Sequence, residues 1–210
     1  MDKIKLGVLV GGTSIEREVS KKSCENLLAN LDENKYEITV YHLPADGNTE
    51  WAKNIISNPP QIVLSALHGG NGENGSIQGF LHCLNIPYIG SKVLSSAICM
   101  NKAMAKTVMK ANHIQVPDHV FVMRGVDFSQ YEESIKLMGF PLIVKPNRGG
   151  SSIGVIVARN MEDIHYGIKN IIETYDDDVL IEKFIDGKEI NCCVLQGENG
   201  PEAMAVLDVK

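Results

Sequence analysis

The chain has 210 residues, 44% of them hydrophobic and 22% charged, which is typical of a globular protein with one large or two small domains. Its formal net charge of -6 comes from interspersed acids and bases, which excludes the clustered basic face of a nucleic-acid-binding protein. No apolar run approaches the roughly 20 residues that span a bilayer, and no signal-peptide pattern opens the chain. We therefore expect a cytoplasmic protein with no nucleic-acid or membrane partner.

The five cysteines show neither a CxxC pair nor a spacing typical of a zinc site, and no metal ligand is predicted in the chain. Cys192 and Cys193 are adjacent, so on a strand they would point to opposite faces and could not easily bridge each other. The pattern predicts reduced, mostly buried thiols.

Short apolar runs in the first half of the chain are typical of strands. Residues 5–10 and 62–67 are nearly continuous runs of the kind found in buried parallel strands, and residues 36–41 alternate in polarity. Helical patterns separate them, after the first strand and at residues 50–57. This succession predicts a parallel sheet with right-handed crossovers, a Rossmann-like layer, to which residues 86–90 add a short strand.

The loop after the first strand, Gly11-Gly12-Thr13-Ser14, lacks the GxGxxG spacing of a dinucleotide site. Thr13 or Ser14 is a suitable N-cap for the following helix, which would place Glu16 in the first turn. A carboxylate there is favoured by the helix dipole and could bind a ligand ammonium, or it could be an ordinary first-turn acid. The apolar face of the helix is expected to comprise Ile15, Val19, Leu27, Leu28 and Leu31.

A second loop, at residues 68–75, contains four glycines between the third strand and a helix. So many small residues predict a substrate loop, where the backbone must approach a ligand closely. His68 opens this loop and is a candidate acid–base or orienting residue, with a hydrogen-bonded structural histidine as the alternative.

Residues 95–112 have the apolar spacing of a single helix capped by Ser95 or Ser96. Lys102 and Lys106 lie one turn apart on it, a pattern that favours a solvated face. Further along, three adjacent aspartates at residues 176–178 indicate a solvated turn more than a metal site.

A glycine-rich loop dominates the second half of the chain. Strand patterns at residues 140–144 and 155–158 flank residues 145–154, Lys-Pro-Asn-Arg-Gly-Gly-Ser-Ser-Ile-Gly. Successive N–H groups, two serine hydroxyls and Lys145 give this loop the chemistry of an anion-binding concavity, with a plain β-hairpin as the alternative. Helices are expected at residues 131–138 and 161–175. The remaining strands, expected to pair in one sheet, are residues 179–185, 187–195 and 203–207.

Several of these motifs, in this order, resemble the D-alanine–D-alanine ligases of the ATP-grasp superfamily, and their colinearity carries the resemblance. The matching residues are Gly11-Gly12-Thr13-Ser14, Glu16-Arg17-Glu18-Val19-Ser20, His68-Gly69, Gly72-Glu73, Gln78-Gly79, Pro87-Tyr88-Ile89-Gly90, Met100-Asn101-Lys102, Lys145-Pro146, Gly150-Ser151-Ser152-Ile153-Gly154 and Glu182-Lys183. The sequence departs from the family pattern at Asn74, Asn101 and Gly149, and Gly149 is expected to make the phosphate loop more flexible.

The resemblance implies an α/β fold in which a Rossmann-like parallel-sheet N-terminal domain precedes an incomplete ATP-grasp domain of the α+β type. Residues 1–95 would form the substrate domain, residues 96–178 the first ATP-grasp subdomain with its phosphate loop, and residues 179–210 the start of the second subdomain. The family's metal-binding acids lie beyond the position that matches Lys210. The resemblance therefore predicts weak or absent activity for these residues alone, or a fragment of a longer ligase.

The resemblance also implies roles for individual residues. Glu16 is similar to the residue that binds the ammonium of the first D-alanine, and His68 to one near that substrate's carboxylate. Ser151 is similar to the loop serine that positions substrate and phosphates, so Glu16 and Ser151 are the implied catalytic residues. Lys102 and Lys145 would hold the ATP phosphates, residues 182–185 would contact adenine, and Glu189 would hold the ribose hydroxyls. The implied ATP-binding residues are Lys102, Lys145, Gly150, Ser151, Ser152, Glu182, Lys183, Phe184, Ile185 and Glu189.

The implied reaction is the ATP-dependent ligation of two D-alanine molecules through an acyl phosphate, for peptidoglycan precursor synthesis. ATP and Mg²⁺ are the implied cofactors, with the metal ligands expected beyond Lys210, and a homodimer is common in the family. Another ATP-grasp carboxylate–amine ligase and a non-catalytic nucleotide-binding module are the alternatives. The second substrate stays open between D-alanine, D-serine and D-lactate.

Overall fold

The structure is a computed structural model that describes residues 2–209. Parallel strands form the centre of its first half. Strand β1 is Ile4–Gly11, β2 is Tyr36–Leu43 and β3 is Ile62–Ser65, and helices α1 (Arg17–Asn30) and α2 (Glu50–Ser57) connect them. The sheet order is β2-β1-β3, and both strand pairs are parallel. The predicted Rossmann-like layer is therefore confirmed.

Both faces of this sheet are buried, which explains why β1 is a continuous apolar run. On one face Leu9 belongs to a cluster that includes Ile55 of α2 and residues of helix α3 (Ser76–Cys83). On the other face Val8 packs in a cluster with Cys24 of α1. The strand predicted at residues 86–90 is reduced to a single parallel bridge between Val63 and Tyr88.

Helix α1 begins later than predicted, because its N-cap lies two residues beyond Ser14 and three beyond Thr13. Glu16 occupies the N-cap position, and Ser14 Oγ accepts a hydrogen bond from the Glu16 N–H at 3.1 Å instead of capping the helix. Ile15 and Val19 are 71% and 48% exposed, so their assignment to the apolar face is wrong. The chain leaves β1 through two glycines with positive φ, which delays the helix and rotates its buried face. The buried residues of α1 are Ser20 and Cys24.

The helix predicted at residues 95–112 is two helices, α4 (Val93–Met100) and α5 (Lys102–Ala111). Asn101 separates them with an extended backbone, φ -90° and ψ 99°, and its side chain accepts a hydrogen bond from the Met104 N–H at 3.0 Å. An asparagine side chain competes with helical hydrogen bonding and favours an N-cap. The break therefore gives α5 its own N-terminus, directly before Lys102.

The second half of the chain forms an antiparallel sheet in the order β4-β7-β5-β6. Strands β5 and β6 flank the glycine-rich loop, as predicted, and β7 lies between β4 and β5. Helix α7 buries Ile164, Ile168 and Ile171 against this sheet. The elements are β4 (His119–Val122), α6 (Glu132–Met138), β5 (Leu142–Pro146), β6 (Ile156–Ala158), α7 (Met161–Tyr175) and β7 (Val179–Lys183).

The last two strands, β8 (Ile190–Gly197) and β9 (Gly200–Asp208), pair with each other as an antiparallel hairpin. Within residues 2–209 they form a separate two-stranded sheet, so the predicted pairing of β8 with β7 is wrong. The large apolar side chains of the hairpin are exposed on both faces, including Val194, Leu195 and Val206.

The cysteine prediction needs correction as well. Cys24 is buried, but the other four thiols are exposed: Cys83, Cys99, Cys192 and Cys193. None of the helices within residues 2–209 combines the length and the apolar character needed to cross a membrane.

Candidate functional site

The loop between β1 and α1 presents a carboxylate at the end of the parallel sheet. Gly11 has a φ of +97° and its N–H donates to Ser20 Oγ at 2.8 Å, which turns the chain sharply after β1. Glu16 then lies at the N-cap of α1, where the unpaired N–H groups and the helix dipole stabilise a negative charge. A ligand ammonium that meets this loop finds a half-buried acid.

The loop that begins at His68 lies against the same acid. A Cβ on Gly69 would lie 2.4 Å from Glu16 Oε2, and the glycine φ of +64° disfavours any side chain. The positive φ favours glycine here, and the short distance shows that the two loops lie against each other. His68 Nε2 makes a hydrogen bond of 2.8 Å to Ser23 Oγ of α1, and its Nδ1 lies 4.0 Å from Glu73 Oε1. These contacts fix the ring beside the Glu16 loop.

The glycine-rich loop of the antiparallel unit reaches across to the parallel unit. Ser151 Oγ donates a hydrogen bond to Glu16 Oε1, although the two residues are 135 positions apart in sequence. A Cβ on Gly150 would lie 3.4 Å from Glu16 Oε2. Ser151 and Ser152 have φ angles of 49° and 56°, a left-handed conformation that turns successive N–H groups toward one side of the loop.

Asn147 anchors the base of this loop and is fully buried. Its Oδ1 accepts a hydrogen bond from the Ala103 N–H at 2.9 Å, and its backbone oxygen accepts one from the Lys102 N–H at 3.0 Å. The next residue is held from the other side, because the Arg148 N–H donates to Asp177 Oδ2 at 2.6 Å. The loop is therefore fastened to the N-terminus of α5 and to the turn after α7.

Lys102 lies under the loop, not on a solvated face. Its Nζ donates to the backbone oxygen of Pro146 at 3.0 Å and to that of Gly149. Burial, together with the positive charge of Lys145, lowers the pKa of Lys102, while the nearby acids oppose that shift. A lysine in this state gains from an approaching anion, because the anion favours its charged form.

Glu182 of β7 forms ion pairs with two lysines from different elements. Lys145 of β5 donates to Oε1, and Nζ of Lys106 on α5 lies 2.8 Å from Oε2. The predicted solvated face for Lys106 is therefore wrong, as it is for Lys102. Burial opposes ionisation of Glu182, but the ion pairs with Lys106 and Lys145 outweigh it and lower the pKa of the carboxyl.

Two cavities join these groups. One of about 180 Å³ is lined by Lys102, Lys145 and the loop from Gly149 to Ile153. A second of about 400 Å³ opens between Glu16 and Arg148 and continues along the loop. Two lysines and the loop residues line the first cavity, which suits phosphate. The second cavity is bordered by Arg148 and by four acids, a surplus of negative charge that suits an ammonium: Glu16, Glu73, Asp176 and Asp177.

Comparisons with known proteins identify the family to which the chain is similar. The family model for the D-alanine–D-alanine ligase C-terminus matches residues 108–210, and the model for the N-terminus of the same ligases matches residues 49–91. A crystal structure of the D-alanine–D-alanine ligase from Bacillus anthracis is 33% identical, with a TM-score of 0.78, over 98% of this chain and 71% of that one. The chain belongs to the D-alanine–D-alanine ligase family. The family resemblance and the α/β fold predicted from the sequence are confirmed.

Two further relatives support this membership. A curated D-alanine–D-alanine ligase of Bacillus anthracis is 41% identical over 199 residues, which are 94% of this chain and 63% of the relative. A crystal structure of the Bacillus anthracis ligase complexed with ATP has a TM-score of 0.84 and 35% identity, over 99% of this chain and 66% of that one. The chain therefore spans about two thirds of the length of these ligases.

The structure of this chain brings most of the sequence-predicted site residues together. Glu16, Ser151 and Gly150 meet directly, His68 is next to the glycine that touches Glu16, and Lys145 pairs with Glu182. Among the predicted ATP-binding residues that do not line the first cavity, Glu182 is buried within β7. The others lie at or beyond the end of β7 and are exposed: Lys183, Phe184, Ile185 and Glu189.

Sequence reasoning missed Lys106 and Asn147. Lys106 was discounted because its spacing is that of an ordinary solvated helix face, and only the tertiary position of β7 reveals its partner. The sequence around Asn147 contains only a weak signal, because a polar residue directly after the proline at a strand end is normally exposed. In the structure Asn147 is fully buried. Within residues 2–209 no cluster of three or more His, Cys, Asp or Glu side chains is arranged to hold a metal ion.

Proposed function

We propose that this chain provides the D-alanine- and ATP-binding parts of a ligase that joins two D-alanine molecules to D-alanyl-D-alanine. The observation that carries the proposal is the hydrogen bond from Ser151 to Glu16, because it joins the glycine-rich loop to the candidate ammonium site. A bound amino acid at Glu16 would then have its carboxylate near the cavity of Lys102 and Lys145. Amino acid and nucleotide would meet at the loop.

The proposed residue roles follow from the family resemblance, and the charges of Glu16, Lys102 and Lys145 fit them. Glu16 would bind the ammonium of the first D-alanine, and His68 would help to orient its carboxylate. Lys102, Lys145 and the backbone N–H groups of residues 150–152 would hold the ATP phosphates. Residues 182–185 would contact adenine, and Glu189 would hold the ribose hydroxyls.

The chemistry suits such a site. A carboxylate oxygen attacks the γ-phosphorus of ATP, ADP leaves, and the product is an acyl phosphate. The amine of the second amino acid then attacks the acyl carbon, phosphate leaves, and the amine gives up a proton. Positioning and charge stabilisation dominate phosphoryl transfer, so lysines and loop amides suffice as the contribution of these residues. A loop closed over the cavity would also keep water from the acyl phosphate.

The remaining assignments belong to the same proposal. Mg²⁺ would accompany ATP. We further propose the division at residues 95 and 178, a cytoplasmic location, and a homodimer as the assembly to test.

The decisive experiment is coupled detection of ADP from the polypeptide that carries this sequence, with and without D-alanine. D-Alanine should stimulate ADP release, and Glu16→Gln should raise the D-alanine concentration for half-maximal release by about tenfold or more. Glu18→Gln is the matched control, because Glu18 is an exposed acid on the same helix. The absence of any D-alanine stimulation in the wild type would overturn the proposal, and nucleotide binding without it would favour a binding module.

A further inference from the structure

The Glu182 carboxylate is shared by two lysines in a nearly closed environment. Lys145 approaches one oxygen from β5, and Lys106 approaches the other from α5 at 2.8 Å. The side chains of Lys106, Glu182 and Lys145 are only 13%, 9% and 20% exposed. Ion pairs at this depth are screened far less than those on a surface.

Helix α5 therefore supplies two lysines with different tasks. Lys102 opens the helix and binds the backbone oxygens of the glycine-rich loop, whereas Lys106 lies one turn further and turns to β7. Lys106 and Lys145 act on Glu182 through their charges, and Glu182 and Asp177 are the acids that act on Lys102. Among the described residues, the lining of the first cavity includes Lys102 and Lys145 and no acid.

Phosphate binding would require Lys145 to change partners. Lys145 donates to Glu182, so an arriving phosphate would compete with that carboxylate for the same ammonium. If Glu182 had no second cation, the exchange would leave a buried carboxylate without a counter-ion, which is strongly unfavourable. With Lys106 at the other oxygen, Glu182 keeps a partner throughout.

We propose that Lys106 is a positioning residue for nucleotide binding, which holds Glu182 and thereby leaves Lys145 available to phosphate. The inference rests on the proposed function, since it assumes that the Lys145 cavity binds ATP. In a purely structural role, Lys106 would only tether α5 to the antiparallel sheet, and its loss would not weaken phosphate binding selectively. The two roles differ in whether loss of Lys106 affects the triphosphate selectively.

The test compares Lys106→Met, Lys106→Arg and Lys110→Met in the full chain. Lys110 is on the same helix, one turn further and exposed, so it controls for the loss of one positive charge. ATP affinity is measured by calorimetry at fixed ionic strength, and adenosine affinity by ligand-observed NMR. The Glu182 carboxyl is titrated by NMR without nucleotide.

We expect Lys106→Met to weaken ATP binding by about tenfold and adenosine binding by less than about twofold. Lys106→Arg should retain the ATP affinity, and Lys110→Met should match the wild type. The Glu182 pKa should rise in Lys106→Met and stay low in Lys106→Arg. An equal loss for both ligands, or no loss for ATP, would overturn the positioning role while the proposed function stands. A wild-type chain that binds neither ligand would overturn both.

Discussion

Glu182 links the candidate nucleotide cavity to the stability of the antiparallel sheet. Its carboxyl pKa is lower than usual in the folded protein, because Lys106 and Lys145 outweigh the effect of burial. A lowered carboxyl pKa contributes stability above the unfolded-state pKa, and this contribution is lost as the pH falls through the folded-state pKa. Glu182 should therefore stabilise the fold at neutral pH and contribute nothing in strong acid.

Glu182→Gln tests this linkage. At about pH 7 the variant should be less stable than the wild type by about 2 kcal/mol, the usual worth of hydrogen bonds to a charged group. The difference should shrink below the ordinary glutamate pKa of 4.5, as the wild-type carboxyl becomes protonated. Urea unfolding across this pH range provides the measurement. A difference that stays constant from neutral to acidic pH would contradict the account.

For single residues, the sequence predicted the chemistry of the site side chains better than it predicted their contact partners. The chemistry of Glu16, Lys145 and Ser151 was visible because each belongs to a loop at a strand end. Helical periodicity favoured a solvated face for Lys102 and Lys106, and only the family resemblance implied a phosphate role for Lys102. Periodicity describes one helix and does not reveal that α5 lies against β7 and the loop. Partners separated by 40 or more residues depend on tertiary contacts that no local pattern contains.

Among the elements, α7 and β5 show how closely a helix can approach a sheet. Gly167 lies in the middle of α7, and a Cβ there would lie 2.9 Å from Val144 Cγ1 and 3.1 Å from Val144 Cβ. Val144 is fully buried and has no room to move. The small residue is therefore a packing requirement, not a helix defect.

Gly167→Ala should destabilise the protein by about 1–3 kcal/mol, the usual cost of overpacking a core. Gly79→Ala in α3 is the matched control, because a Cβ there meets no atom within 4 Å. The control should be neutral or stabilising by up to about 1 kcal/mol, since alanine is the better helix former. Urea unfolding of both variants gives the comparison. A Gly167→Ala variant as stable as the wild type would contradict the packing argument.

Elements with strong local signals were predicted well. The helices at residues 50–57 and 161–175 match the structure, since each has clear periodicity and defined ends. The break at Asn101 was missed because the apolar spacing continues across it, and only the N-cap geometry shows the interruption. The hairpin of β8 and β9 was predicted as two strands, but which strand pairs with which is set by the whole sheet.

For the molecule as a whole, the contact between Ser151 and Glu16 joins the parallel and the antiparallel unit at the site. Without it the described contacts would hold the glycine-rich loop at Asn147 and Arg148 and through the Lys102 contact with Gly149, but not at its tip. The sequence alone gave no distance between these loops. Their proximity was expected from the family resemblance, not from any pattern in the residues.

Ser151→Ala should loosen this junction. The amides of residues 148–154 should exchange with solvent roughly tenfold faster, because the loop loses a hydrogen bond to a charged group. Ser152→Ala is the control, since Ser152 has a similar φ of 56° but no side-chain contact to Glu16 in the described residues. Hydrogen exchange followed by mass spectrometry gives the rates. Equal acceleration in both variants would point to backbone strain and contradict a role for the contact.

Titration of the chain with ATP tests the central claim most directly, that Lys102, Lys145 and the glycine-rich loop form a phosphate site. We predict saturable binding in calorimetry, which Lys145→Met weakens by about tenfold or more while Lys110→Met leaves it unchanged. A wild-type chain that shows no saturable binding, or a Lys145→Met variant with wild-type affinity, would contradict it.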